Sequence, residues 1–156
     1  MTISTSALQQ KNAKHLIQSF SDLSYTNNPE ETKIISRADG VYIYDNDGKK
    51  ILDAMSGLWC VNMGYGQKSI IEAVNEQMKE LVYYNNFFGT SHPSAIKLSE
   101  MIADKTPSGM NKVYFCGSGS EANDTVVRLA RHYWAAKGKP SKSVIISRKN
   151  AYHGST

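Results

Sequence analysis

Residues 113–123 read VYFCGSGSEAN, an apolar run followed by glycines, serines and a glutamate. The run VYFC is typical of a buried strand, and the residues after the loop predict a helix from Glu121 to Ala136 that Gly138 ends. Ser118 and Glu121 stand three positions apart, which is the pattern of a capping box, where each side chain accepts a hydrogen bond from a free backbone N–H of the first turn. The stretch therefore predicts a strand, a glycine-rich loop and a capped helix.

A second buried strand is predicted after this helix, where residues 144–147 read VIIS. Strand, helix and strand in this order form a β-α-β unit of a parallel sheet, which indicates an α/β fold. Parallel sheets normally have several strands and helices on both faces. Since one such unit is all that precedes Thr156, we expect these 156 residues to be a segment of a longer protein.

The first part of the chain predicts a different structure, a small antiparallel sheet after a polar arm. Asp47-Gly48 is a turn signal between two β-prone runs, and a weak helical stretch lies around His15 to Phe20. The β-prone runs are residues 33–35, 41–44 and 50–53.

Two helices are predicted between this sheet and the loop. Apolar residues recur at helical spacing over 70–82, and Pro93 is a typical first residue of a second helix. We accordingly divide the chain into residues 1–65, an arm with the segment of a small domain, and residues 66–156, the start of a large domain built on the parallel sheet.

The predicted start of the helix after the loop is suited to binding an anion. Glycines let the backbone approach a ligand closely, and free N–H groups at the positive end of a helix dipole attract phosphate. Ser120 adds a hydroxyl donor at the same place. A capped helix without any ligand is the alternative interpretation of the same residues.

The loop also satisfies G-x-G-x-x-A, the pattern of a Rossmann-type oxidoreductase. In that fold an acidic residue at the end of the second strand binds the ribose, whereas Ser147, Arg148 and Lys149 stand there in this chain. Because Arg148 could bind a 2′-phosphate, an NADP-binding segment stays open as the alternative function.

Composition indicates a globular cytoplasmic protein. The chain is 40% hydrophobic and 21% charged, without a secretory signal or an apolar run long enough for a membrane. Cys60 and Cys116 lack metal-ligand spacing, so we expect reduced structural thiols and no metal site. The basic residues after Asp124 form no nucleic-acid-reading motif, and we interpret them as a solvated surface.

Four motifs together resemble a known family, the class III aminotransferases of pyridoxal-phosphate (PLP) fold type I. They occur in the family's order over the chain from about Phe20 to its end, and those at 57–66 and 87–93 are most similar to the omega-amino acid:pyruvate branch. The motifs are GLWCVNMGYG at 57–66, FFGTSHP at 87–93, GSGSEAN at 117–123 and YHG at 152–154.

The resemblance implies a PLP site at the predicted helix start. Gly119 and Ser120 correspond to the phosphate cup of the family, with Ser118 beside them. Tyr152 corresponds to the aromatic residue that covers one face of the cofactor ring, and His153 follows it in the same motif.

The resemblance also implies an aromatic substrate pocket. Trp59 and Phe20 correspond to wall positions, as does Tyr152, and Phe87 and Phe88 correspond to wall residues that reach the site of the neighbouring subunit in a homodimer. An apolar pocket of this kind discriminates weakly between amines that differ by a methylene, so the expected substrate range is broad.

The expected reaction is the transfer of an amino group from an amine or omega-amino acid, by way of PLP, to a keto acid such as pyruvate. The family supplies the Schiff-base lysine and an aspartate for the pyridine nitrogen downstream of the YHG motif. Lys149 matches no family lysine, so we expect this segment alone to be inactive.

Overall fold

The computed structural model describes residues 3–22, 24 and 28–156. Backbone contacts divide the chain into two compact units, Met1–Tyr83 and Tyr84–Thr156, and each unit is considered by itself below. The predicted boundary between residues 65 and 66 concerns the domains of a longer protein and stays a prediction.

The first unit begins with helix α1, Thr5–His15. The Ser4 side chain caps it by accepting a hydrogen bond from the Ala7 N–H at 3.3 Å. The predicted helical stretch around His15 to Phe20 is wrong, because the helix ends at His15 and Leu16 is extended. The apolar periodicity that we used is weak in α1, and the serine cap is the signal that marks its true start.

The small antiparallel sheet is confirmed, with strands β1 (Ile35–Asp39), β2 (Tyr42–Asp45) and β3 (Lys50–Leu52) in the order β1-β2-β3. Its first strand lies later in the sequence than the predicted run at 33–35. The β2–β3 turn is closed by the Asp45 carboxylate, whose Oδ1 accepts hydrogen bonds from the N–H groups of Asp47 and Lys49.

The sheet is continued by a short helical turn and a helix, α2 (Ser56–Trp59) and α3 (Lys68–Glu80). Between them, the backbone of Tyr65 exchanges two hydrogen bonds with Gly40, at 2.7 and 3.2 Å. This bridge attaches the loop that follows α2 to the end of β1.

The second unit contains helices α4 (Pro93–Ala103) and α5 (Gly119–Ala136), both close to their predicted positions. His92 caps α4 through Nδ1, which accepts from the Ala95 N–H at 3.3 Å. Gly138 follows α5 with a φ of +71°, the left-handed conformation that a glycine after a helix adopts without strain.

The two strands predicted on either side of α5, residues 113–116 and 144–147, are not formed as strands. Within the described residues all three strands belong to the first unit. A strand needs a neighbour with which to exchange backbone hydrogen bonds, and these two segments exchange none with each other. Only α5 of the predicted β-α-β unit is therefore present as regular structure.

Almost all side chains are accessible to solvent. Among the described residues Ser120 alone is buried, with 8% of its surface exposed, and no hydrophobic residue is buried. Large apolar side chains are open, including Ile146 at 92% exposure. Polar contacts and capped helices, rather than a hydrophobic core, therefore organise each unit.

None of the described helices has the length and the apolar character needed to cross a membrane.

Candidate functional site

The start of α5 is organised by two side chains of the predicted capping box. Ser118 is extended, and its Oγ accepts a hydrogen bond from the Glu121 N–H at 3.2 Å. The Glu121 carboxylate reaches back to the Gly117 N–H at 2.7 Å, one residue before the cap. The N–H groups of Gly117 and Glu121 are thus satisfied by side chains of this same stretch.

The next two donors of this turn remain available. The N–H groups of Gly119 and Ser120 are the first two of an 18-residue helix and have no acceptor in the described part of the chain. They lie at the positive end of the helix dipole, where an anion is favoured. The geometry therefore offers two convergent donors to a phosphate.

The Ser120 side chain joins this turn to the YHG motif. Its Oγ lies 3.2 Å from the Tyr152 hydroxyl and accepts a hydrogen bond from the Ser155 N–H at 3.0 Å. Gly154, with a φ of +124°, makes this approach possible, because a Cβ there would lie 3.0 Å from Ser120 Cα. Ser120, the only buried residue among those described, thus joins the two predicted cofactor-binding motifs, GSGSEAN and YHG.

Tyr152 presents its ring beside the helix start, with 73% of the residue exposed. Hydrogen bonding to Ser120, and to a smaller extent to the Ser155 side chain, holds the pKa of Tyr152 below its ordinary value. These bonds fix one end of the ring and leave the rest of it open.

His153 is held by a residue to which the sequence analysis gave no role. Asn123 Nδ2 donates a hydrogen bond of 2.7 Å to the His153 carbonyl oxygen. Asn123 lies three positions after Ser120, so both residues share one face of α5. That spacing within the GSGSEAN motif is the signal that could have identified Asn123.

The structure thus brings together Ser118, Gly119, Ser120, Tyr152 and His153, all of which were predicted to bind the cofactor. Phe87 and Phe88 belong to the same unit, and their ring centroids are 6.1 Å apart. Both rings are exposed, and Phe88 has a φ of +55°.

The remaining predicted pocket residues, Trp59 and Phe20, lie in the first unit. Both are exposed, Trp59 at 78%, and no ring contact joins them within the described ranges. Trp59 ends the α2 turn, which is tied to the Asp53 carboxylate by a hydrogen bond of 2.8 Å from the Gly57 N–H. Asp53 in turn accepts a 2.7 Å hydrogen bond from the Tyr65 hydroxyl, a pair that the sequence analysis also missed.

This pair changes the titration of both groups. The hydrogen bond from Tyr65 is the main reason that the pKa of Asp53 lies below its ordinary value. The same bond raises the pKa of Tyr65, because the phenol must stay protonated to donate.

The described residues contain no group of three or more histidine, cysteine or acidic side chains arranged to hold a metal ion. Cys60 and Cys116 are both free thiols.

The chain matches the family model of the class-III aminotransferases over residues 25–156. It is 56% identical over 142 residues to the putrescine–pyruvate aminotransferase of Pseudomonas aeruginosa, a match that covers 91% of this chain and 31% of that protein. It is 48% identical over 124 residues to gamma aminobutyrate transaminase 2 of Solanum lycopersicum, covering 79% and 27% respectively.

Solved structures agree with this similarity. An (S)-enantioselective omega-transaminase from Thermomicrobium roseum superposes with a TM-score of 0.92 at 35% identity, covering 99% of this chain and 34% of that one. The omega-transaminase from Pseudomonas jessenii in complex with PMP superposes with a TM-score of 0.89 at 38% identity, covering 96% and 33%. The chain spans about a third of the length of these relatives.

The predicted fold class, an α/β segment of PLP fold type I, is confirmed by these solved relatives. The family model covers most of the sequence and includes the loop, the start of α5 and the YHG motif. On this basis the chain belongs to the class-III aminotransferases.

Proposed function

We propose that the whole protein is a PLP-dependent transaminase that moves an amino group from an amine or omega-amino acid to a keto acid such as pyruvate. The observation that carries the proposal is the junction of Ser120 and Tyr152, which sets an aromatic ring beside free N–H donors at the start of α5. Family membership and the putrescine–pyruvate relative support the reaction class.

The residues at this junction fit PLP. The free N–H groups of Gly119 and Ser120 suit its phosphate, and the ring of Tyr152 offers a flat apolar face to its pyridine ring. When bound, PLP supplies the electron sink that allows an amino group to be exchanged. Its presence in a relative is supported by the structure from Pseudomonas jessenii, which contains PMP.

The protein's part in this chemistry is binding and orientation. Ser118 caps α5 by accepting a hydrogen bond from the Glu121 N–H. Asn123 fixes the backbone of His153 by donating to its carbonyl oxygen. Ser120 holds the Tyr152 hydroxyl, so the ring is oriented before any ligand arrives. We assign these contacts the task of placing the Tyr152 ring where it would lie against the cofactor ring when the free N–H groups bind the phosphate.

The substrate walls are assigned to Trp59, Phe20, Phe87 and Phe88, with the ring of Tyr152 on the cofactor side. Exposed aromatic rings of this kind suit amine donors with apolar bodies. Phe87 and Phe88 are also our candidates for contact with the site of a second subunit, so we propose a homodimer.

None of the lysines of this chain is proposed to link covalently to the cofactor, and the segment alone should be inactive. Lys149 lies in sequence near the YHG motif but matches no family lysine. Borohydride reduction of the PLP-loaded whole protein, followed by peptide mapping, should place the modified lysine outside these 156 residues. A modified Lys149 would contradict this assignment.

We further propose a cytoplasmic location, where Cys60 and Cys116 would stay reduced.

The reaction is tested by incubating the purified whole protein with PLP, putrescine and pyruvate and measuring alanine. Alanine should form in proportion to the amine consumed, since the amino group passes to the keto acid. No alanine with putrescine or any other primary amine tested would overturn the proposal.

The NADP-binding alternative has no specific support at the site. The predicted second strand, residues 144–147, is followed by Arg148 and Lys149, and neither these residues nor Ser147 is an acid that could bind the ribose. Calorimetric titration with NADP and with NAD should therefore give no saturable binding, and saturable binding would revive this alternative.

A further inference from the structure

The turn that carries Trp59 has an unusual backbone. Ser56, Gly57, Leu58 and Trp59 have φ values of 49°, 58°, 63° and 64°, so four consecutive residues are left-handed. Only one of them is glycine, and a residue with a Cβ is disfavoured in this region. Such a turn persists only where its surroundings hold it in place.

The Asp53 carboxylate supplies that hold on one side of the turn. Its Oδ2 accepts from the Gly57 N–H at 2.8 Å, and its Oδ1 accepts from the Met55 N–H at 3.2 Å. The backbone oxygen of Asp53 also accepts from the Ser56 N–H at 3.3 Å. One residue therefore bonds to the backbone on the approach to the turn and within it.

Tyr65 completes the hold from the other side. Its hydroxyl donates to Asp53 Oδ2 at 2.7 Å, while its backbone is bridged to Gly40 at the end of β1. A Cβ on Gly57 would lie 2.8 Å from Val61 Cγ2 and 3.1 Å from the Tyr65 hydroxyl, so the turn fits closely against both. A continuous series of contacts thus leads from the sheet through Tyr65 and Asp53 to the turn.

We propose that Asp53 and Tyr65 are positioning residues that hold the left-handed turn and so set the direction of the Trp59 ring, and with it the choice of amine donor. The part that concerns donors rests on the proposed function of Trp59 as a pocket wall. Neither positioning residue needs to touch substrate, because each acts through the backbone of the turn.

The geometry also explains why Asp53 and Tyr65 hold the turn jointly. The carboxylate accepts several donors at once, and the Tyr65 hydroxyl occupies the oxygen that also binds Gly57. When the hydroxyl is removed, the carboxylate keeps its backbone bonds but loses the contact that runs through Tyr65 to Gly40. Asp53 itself stays attached to the sheet, because its N–H donates to the Val41 carbonyl oxygen at 3.0 Å. The turn should then be less firmly placed without being abolished.

The experiment uses the whole PLP-loaded protein labelled with 5-fluorotryptophan, with the Trp59 resonance assigned by its loss in Trp59→Phe. Tyr65→Phe and Asp53→Asn are compared with Tyr44→Phe, which removes a hydroxyl that has no hydrogen bond within the described residues. Tyr65→Phe and Asp53→Asn should shift or broaden the Trp59 resonance, whereas Tyr44→Phe should leave it unchanged.

The same variants are then assayed with putrescine and with 1-phenylethylamine. Tyr65→Phe should raise KM for the aromatic donor several-fold more than KM for putrescine, with a smaller change in kcat. A general loss of folding would instead lower the active fraction for both donors equally.

An unchanged Trp59 resonance in Tyr65→Phe would overturn the positioning role. A changed resonance with an unchanged KM ratio would overturn the link to donor choice. Absence of transaminase activity in the unmodified protein would count against the proposed function instead, and the resonance comparison would still decide whether Asp53 and Tyr65 position Trp59. If Asp53→Asn does not fold, Tyr65→Phe alone decides the question.

Discussion

At the scale of single residues, Ser120 connects the two halves of the candidate cofactor site. Its hydroxyl bonds to the Tyr152 hydroxyl and accepts from the Ser155 N–H, while its own N–H stays available. The side chain therefore orients the ring and the backbone addresses the anion. One residue can serve both ligand groups because its two polar groups point to different partners.

The pKa of Tyr152 provides a test of this contact. A lowered phenol pKa means that the folded state favours the phenolate, so this contribution to stability is present above the ordinary value of about 10 and is lost as pH falls through the lowered value. At neutral pH it contributes nothing. Ser120→Ala should move the Tyr152 titration to higher pH, because its principal hydrogen-bond partner is lost.

This titration is followed by phenolate absorbance in the whole protein without cofactor, with Tyr152→Phe identifying the relevant component. Ser143→Ala is the control, since Ser143 contributes only backbone groups to the hydrogen bonds of this unit. A Tyr152 component that titrates identically in Ser120→Ala and in the parent protein would show that the hydroxyl contact is not made.

At the scale of elements, α5 shows how local signals determine a helix. Ser118 caps it, Glu121 binds back to the loop, and Gly138 follows its end, and each of these features was visible in the sequence. The flanking strands were not predictable in the same way. An apolar run such as 144–147 records that a segment is suited to burial, whereas the hydrogen bonds that make it a strand depend on a neighbour.

The capping role of Ser118 predicts a change in stability. Ser118→Ala leaves the Glu121 N–H without its acceptor and should lower the free energy of unfolding by about 1 kcal/mol. Denaturant unfolding of the whole protein without cofactor measures this change. Ser118→Asn should restore most of the loss, because asparagine is an equally good cap; an equal loss in both variants would indicate that capping is not the cause.

Some residues of the candidate site could be predicted from the sequence and others could not, again because contacts formed only by the fold are not visible in the sequence. Ser118 and Ser120 were found because their spacing points to a helix start, whereas Tyr152 was found only through the resemblance of the YHG motif to that of the class III aminotransferases. Asn123, Asp53 and Tyr65 were missed, because each acts through a backbone group or a carboxylate that is brought near only by the fold. Asp53 and Tyr65 leave no spacing pattern in the sequence, whereas the three-residue spacing of Ser120 and Asn123 places both on one face of α5.

At the scale of the whole molecule, the main feature is that large apolar side chains are exposed to solvent. No hydrophobic residue is buried among those described, and open rings and aliphatic side chains occur in both units. Surfaces of this kind are stable in water only when another layer covers them. The family relationship is consistent with this state, because the chain spans about a third of the length of its relatives.

The isolated 156-residue chain should therefore unfold without a sharp transition and bind hydrophobic dyes. Calorimetry and dye fluorescence measure this directly, and the whole protein serves as the reference. A cooperative melt of the isolated chain, with little dye binding, would show that the exposed apolar faces are covered in solution.

The link between Ser120 and Tyr152 has a consequence for biosynthesis. At a translation rate of about 5–20 residues per second, the intervening residues take about 2–6 seconds to make, whereas a helix forms in about a microsecond or less. The first turn of α5 can therefore form and melt many times before its tyrosine partner is made. During that interval the Ser120 hydroxyl has neither Tyr152 nor Ser155 beside it, so the contact between the two motifs forms only after residue 155 has been made.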